Sequence, residues 1–337
     1  TVTVATVYGA VGFTNLNIAG DCVIGNGVWT HSANSGGETS RLSVTIGGNL
    51  ILGTNAAVNV TGMGYGNQKG PGFYSGGSNP GGSYGGKGDK NNPPSSGPCY
   101  GSIVAPTNLG SGGWSLAGGG AILLRVSGTV TNDGLFCADG AAAAGVNGVG
   151  SGGSIFMTAG ALTGFGTIRA NGGSIFNVGP GGGGRIALVV TNAGADLSLY
   201  TGPVLSLGGG GNAGAGTVYK RTAAQGLYEG SLIISNTVLA GPTEINTNVT
   251  DAVVGNVFIC KGGYLQLFTN QTLTVSGIWS NDATFESQFD SQVIIAGNAM
   301  STSTVYGTNI FMGLTCTNAG GKTILFEAGK TNTVPAL

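Results

Sequence analysis

Apolar and polar residues follow two rhythms along this chain. The first is alternation over four or five residues, as in "LSVTI" (42–46), "TLTV" (272–275) and "QVIIA" (292–296). Alternation of this kind predicts short strands with one buried face. The second is a glycine run that leads straight into an unbroken apolar segment. "GPGGGGRIALVV" (179–190) places five apolar residues among the six that follow its glycines. Glycine loses more conformational freedom on folding than any other residue, so such a run needs a structural reason. Amphipathic stretches with a 3.6-residue period are missing, and long helices are not expected.

The second rhythm repeats. "GGGAILLRVSGTVTNDGLFCADG" (118–140), "SGGSIFMTAGALTGFGTIRANGG" (151–173) and "GGGGRIALVV…PVLSLGGGG" (181–211) share one plan. Each opens on glycine and enters a strand whose second residue is Ile122, Ile155 or Ile186, spaced 33 and 31 residues apart. A second strand follows, at Leu135–Cys137, Thr167–Ile168 and Val204–Leu207, with small turns such as Ala138-Asp139-Gly140. An earlier copy, "RLSVTIGGNLILGTNAAVNVTGMG" (41–64), lacks the leading glycines. Strand, turn and return at a fixed period predict an all-β parallel β-helix (β-solenoid) with glycine-rich excursions at its corners. The alternative is a β-sandwich. Four regions are expected: N-terminal coils (1–61), a Gly/Pro/aromatic insertion (62–120), glycine-rich repeats (121–222) and C-terminal β-rich coils (223–337) with a terminal strand available for exchange.

Composition narrows the function classes. Glycine supplies 69 of 337 residues, and charged residues only 7%, against an average of about 25%. The 41% apolar content separates the chain from disordered, core-poor sequences. A net charge of −1 argues against a nucleic-acid partner and permits close association between copies. No run of 18 apolar residues occurs, so no membrane span is expected. Thr1, without a preceding Met, is read as the start of a processed or truncated chain.

The chemistry of a catalytic site is sparse. Asp133, Asp139, Asp196, Asp282 and Asp290 are scattered singly, whereas a polysaccharide lyase or hydrolase needs clustered carboxylates. Asp133 and Asp139 sit in glycine turns, and Arg125, Arg169 and Arg185 lie in or beside repeat strands. Those arginines are expected to pair with the two aspartates or to bond glycine-loop carbonyls. His31, the single histidine, is read as a turn or surface residue. "GGKGDK" (85–90) is an imperfect, unrepeated match to a calcium-binding nonapeptide, and "GNAGAGT" (211–217) lacks the Lys-Thr/Ser ending of a phosphate loop. No cofactor, no metal and no enzymatic activity are expected. Cys22, Cys137, Cys260 and Cys316 each have an apolar neighbour two residues away and read as small buried hydrophobes. Cys99, in a loop-like tract, reads as the most exposed thiol; a disulfide is open outside the cell. Sequons stand at Asn59, Asn248 and Asn270.

Residues 61–102 contain no Leu, Ile or Val, and six of the ten prolines fall between 71 and 106. Two readings of this tract stand side by side: a loose loop, or extended polyproline-II-like segments packed on the strands with aromatic anchors. Its aromatic side chains also suit sugar stacking, with Tyr74, Tyr84 and Trp114 as the candidate ligand-binding rings.

"GGSIFMTAGALTGFGTIRANGG", "GGGGRIAL" and "GAGTVY" resemble a glycine-rich parallel β-helix module of very large, repetitive bacterial surface and secreted proteins. "LTCTNAGGKTILFEAGKTNTV" resembles a strand–turn–strand repeat of the same proteins. The glycine tract loosely resembles glycine-rich regions of receptor ectodomains and phage adhesin tips. The resemblance covers residues 110–220 and 310–334. It implies extracellular or cell-surface work, bacterial in origin, of a structural or adhesive kind, with no catalytic residues to carry over.

The expected function is therefore an extracellular structural protein that assembles with itself into a fibre, sheath or surface layer. The β-prone ends would join head to tail or by strand addition through Val2, Val4, Val7, Ile324, Phe326 and Val334. The alternative is an adhesin that binds cell-surface glycans through the aromatic tract.

Overall fold

The computed structural model describes residues 1–76, 79–89, 96–174, 179–210, 213–238, 241–297, 302–317 and 320–335. Among these residues the chain is all-β and its strands pair almost entirely in parallel. Parallel pairing differs from the antiparallel meander that a sandwich requires. Among the described residues no helix is long and apolar enough to cross a membrane.

One long ladder organises the molecule. It begins with Leu16–Ile18, Leu42–Ile46, Ala121–Asn132, Ser154–Thr163, Arg185–Val190 and Thr217–Arg221, all parallel. In it, Ile122 pairs with Ile155, and Ile155 with Ile186, so the repeat read from the sequence is a physical column. Leu42 precedes Ile122 in that column, which places the glycine-free copy as well. The second strands stack likewise: Phe136 on Val58, Ile168 on Phe136, and Val204 on Ile168. A third ladder links Leu50 to Val130 and Val130 to Leu162.

At Thr217–Arg221 the ladder changes direction. The next strand, Ser231–Ile234, pairs antiparallel, with Val218 opposite Ile233 and Tyr219 opposite Leu232. Parallel order then resumes through Asn256–Ile259, Trp279–Asn281, Thr302–Tyr306 and Thr323–Phe326. Two shorter ladders accompany this second part: Thr243–Ile245, Tyr264–Leu267 and Thr284–Ser287; and Val253–Val254, Thr272–Val275, Gln292–Ala296 and Leu314–Thr317. The chain visits the three ladders in rotation. Asp251, Asn270 and Asp290 mark one corner of that rotation. Each has positive φ (57°, 59° and 55°) and stands two residues before a strand of the same ladder. Asp and Asn tolerate the left-handed region better than other non-glycine residues, which explains their use there.

Among the described residues two large hydrophobic cores form, beside a small cluster of Leu109, Ala121 and Leu123. The first holds Leu42, Leu52, Phe136, Ile155, Ile186 and Leu188. The second holds Leu232, Val257, Leu265, Leu273, Val293 and Trp279, with Trp279 edge-on to Phe285 and Phe311. The cores lie on opposite faces of the long ladder, because Val218 belongs to the first and its neighbour Tyr219 to the second. This explains "RIALVV". All six residues of Arg185–Val190 are buried: Ile186, Leu188 and Val190 face the first core, and Ala187 faces the second. Strands covered on both faces read as continuous apolar runs.

Candidate functional site

Glycine segments from several parts of the chain meet beside the long ladder. Their backbones bond one another without forming strands. Gly182 donates to Gly82 (2.9 Å), Gly183 to Gly214 (3.0 Å) and Gly184 to Ala170 (2.7 Å). In the neighbouring segment, Ser151 donates to Ser111, Gly152 to Gly182 and Gly153 to Ala138. Three consecutive residues thus reach three different neighbours. A strand offers only two sides, whereas a polyproline-II segment turns once every three residues and offers three. Within the tract between 62 and 120, residues 80–89 and 96–113 are mostly buried and packed, while residues 67–69, Pro71, Ser75, Gly76 and Trp114 are exposed.

Close approach sets the composition. A Cβ on Gly182 would lie 1.9 Å from the carbonyl oxygen of Gly86, and one on Gly85 would lie 2.0 Å from that of Gly184. Both contacts are with backbone, which cannot swing aside. "GNAGAGT" joins the same bundle, its Gly214 donating to Lys87 (2.7 Å); Gly211 and Asn212 lie outside the described residues, as does Lys90 of "GGKGDK". Asp89 is buried and accepts from the Gly179 N–H at 3.2 Å.

Polar side chains tie the bundle to both cores. Arg185 is fully buried. Its Nε donates to the Tyr100 carbonyl (2.9 Å) and its Nη1 to Thr217 Oγ1 (3.1 Å). The guanidinium lies over the Tyr84 ring, 5.5 Å from its centroid. Burial lowers its pKa, against an opposing pull from Tyr84, Cys99 and Tyr100. The Tyr84 hydroxyl bonds Ser154 Oγ (2.7 Å), which donates onward to the Asn108 carbonyl (2.6 Å). Toward the second core, Lys87 pairs with Glu244 at 2.7 Å, and the Cys99 N–H donates to the same carboxylate at 3.1 Å.

The residues singled out from sequence fall in different surroundings. Tyr84 is fully buried, so no face of its ring is open to a sugar, while Tyr74 is half-buried and Trp114 is 39% exposed. The three rings do not form one exposed surface. Val4 lies in the first core at 5% exposure; Val7 and Ile324 are half-buried; Val2, Phe326 and Val334 are exposed. Arg169 pairs with Asp139 (2.9 Å), as the turn chemistry predicts, and Arg125 is exposed. Asp133 accepts from the Phe165 N–H (3.3 Å).

The expectations for Cys99, Cys316 and His31 are corrected. Cys99 is buried, not exposed. Burial, with Glu244 adding to it, pushes its thiol up to about 12. Cys316 is the exposed thiol, Cys260 is intermediate, and none of the five is bridged. His31 is buried rather than at the surface. Its Nδ1 donates to the Ser32 carbonyl (2.8 Å) and its Nε2 accepts from the Ala121 N–H (3.2 Å). Burial lowers its pKa to about 4, and the Ser32 carbonyl pulls the other way. Cys99 and His31 read as exposed in the sequence because segments that cover them lie far away along the chain. One local signal for the contact of Glu244 with Lys87 and Cys99 is Glu244 itself, a charged residue within the short strand Thr243–Ile245.

Among the described residues, no group of three or more His, Cys, Asp or Glu side chains is placed to hold a metal. Comparison with protein-family models, with curated proteins and with solved structures finds no match.

Proposed function

We propose that this chain is an extracellular structural protein: a parallel β-helix braced by a glycine bundle, whose copies add to one another in a fibre, sheath or surface layer. The observation that carries the reading is the bundle itself. Glycine segments from several parts of the chain are invested in backbone-to-backbone packing that joins both cores, and such packing serves stiffness.

Topology supports the helical part. Rotation through three ladders is the path of a coil, and parallel crossovers have a preferred hand. At Thr217–Ile234 the strand direction reverses while the ladder keeps growing. Moving the core to the opposite face is what keeps the winding hand unchanged, and Val218 and Tyr219 make that move. The extracellular placement rests on the low charge and on the resemblance to bacterial surface modules.

Strand addition has its candidate edge at Thr323–Phe326. Phe326 continues the column of Val257, Trp279 and Val305, all fully buried, yet is 48% exposed. A strand from a second copy would cover it. Sedimentation velocity over a concentration series, beside electron microscopy, tests the proposal. Elongated particles that associate with concentration, less so in Phe326→Asp, are expected. A compact particle that stays monomeric throughout would sink it.

A further inference from the structure

A polar groove of about 330 Å³ opens where the chain enters the second core. Gln225, Glu229, Asn256 and Ser276 line it, and Gly255 and Gly277 leave its floor without side chains. Three of these side chains bond the protein and keep polar capacity: Gln225 and Glu229 spend one polar atom each, and Asn256 uses both. Gln225 Oε1 accepts from the Thr222 N–H (2.9 Å), which leaves its amide N–H groups for a ligand. Glu229 Oε2 accepts from the Gly226 N–H (2.7 Å), which leaves Oε1. Asn256 Oδ1 accepts from the Ile278 N–H (2.8 Å), and its Nδ2 donates one proton to Ser231 Oγ (3.0 Å), which leaves the second. Gln225 and Glu229 are each held by one bond and Asn256 by two, and each keeps a donor or acceptor to offer, which is preorganisation for a ligand.

The chemistry of the lining selects the ligand class. No Lys or Arg lines the groove, and the Glu229 carboxylate repels anions, so a phosphate or an acidic sugar is disfavoured. Four hydrogen-bonding side chains make it a poor site for a lipid chain. Amide donors beside a carboxylate acceptor match a pair of neighbouring hydroxyls, each of which donates once and accepts. We infer that this groove is a binding site for one neutral sugar ring of a glycan. The inference is independent of the structural role proposed above, and it places glycan contact away from Tyr74, Tyr84 and Trp114.

The test uses the full chain and four free sugars as probes: glucose, galactose, mannose and N-acetylglucosamine, with glucuronic acid as the anionic control. Saturation-transfer NMR followed by titration calorimetry reads the binding. At least one neutral sugar is expected to bind with a Kd of about 10 mM or tighter, and glucuronic acid about tenfold more weakly than glucose. Glu229→Ala and Gln225→Ala should each weaken binding about tenfold, as expected for loss of one good hydrogen bond. Glu229 also caps its own turn, so a second variant leaves that turn intact. Ala224 lines the groove and is exposed, so Ala224→Trp fills the site from the surface. It should abolish binding with an unchanged circular dichroism spectrum. Absence of binding by all four sugars, stronger binding of glucuronic acid, or full binding by Ala224→Trp would each overturn the inference.

Discussion

Val218 and Tyr219 are adjacent in one strand and enter different hydrophobic cores, Val218 opposite Ile233 and Tyr219 opposite Leu232. A single strand is therefore a shared wall. Neither core can lose it and keep its own packing.

Cooperative unfolding follows. Trp29 packs against the first core and Trp279 is buried in the second. In variants that keep only one of these tryptophans, with Phe at the other positions, the two urea midpoints should coincide. Tyr219→Ala should lower both together, by about 3 kcal/mol, the usual cost of truncating a buried aromatic. Two separated midpoints in the otherwise native chain would show that the cores unfold independently.

Gly182→Ala should be among the most damaging single-methyl additions. Its Cβ would meet the Gly86 carbonyl oxygen at 1.9 Å, and a loss of about 3 kcal/mol or more is expected from overpacking against backbone. Gly36→Ala is the matched control, exposed and with nothing within 4 Å of the added carbon. Thermal melts of the two variants decide the matter, and equal melting temperatures would refute the close packing.

His31 makes stability depend on acid. Its pKa is about 4 in the fold against an ordinary value of 6.5. Above the ordinary value the ring is neutral in both states and its contribution is complete. As the pH falls from there toward 4, the unfolded chain binds a proton that the fold excludes, and stability declines. The full loss is about 3 kcal/mol, reached below the folded pKa. Denaturation curves at a series of pH values measure the loss. Because His31 is the only histidine, its ring proton shifts give the folded pKa directly; a value near 6.5 would refute burial.

The five cysteines should separate by accessibility. Cys316 is exposed, Cys260 intermediate, and Cys22, Cys99 and Cys137 buried. Burial raises the Cys22, Cys99, Cys137 and Cys260 thiols, most clearly Cys99, and thiolate is the reactive form. A maleimide should label Cys316 first and leave Cys99 untouched until the chain is unfolded. Peptide mapping after timed labelling reads the order, and early modification of Cys99 would contradict its placement.

Much of the strand framework is legible in the sequence, because in-register parallel stacking requires like residues at a fixed spacing. Ile122, Ile155 and Ile186 reveal their column in that way, and the same repeat brings Arg169 against Asp139, 30 residues earlier. The candidate sites were less legible. Tyr84 reads as a surface ring because its neighbours are glycines, yet Ser154 and Arg185 cover it from 70 and 101 positions further along the chain. The polar groove escaped notice for a similar reason. Gln225 and Glu229 belong to one turn, while Asn256 and Ser276 come from later passes of the chain.

What the sequence by itself determined was strand content and the periodic column. Alternation and repeat spacing are properties of nearest neighbours along and across strands. What only the tertiary structure decided was which faces are covered. The glycine runs are short-range nonsense until other glycine segments lie against them. The apolar run Ile186–Val190, in a strand buried throughout, is unexplained until a second core is found on its outer side. Burial on both faces depends on where remote segments come to rest, and a repeat period carries no record of that.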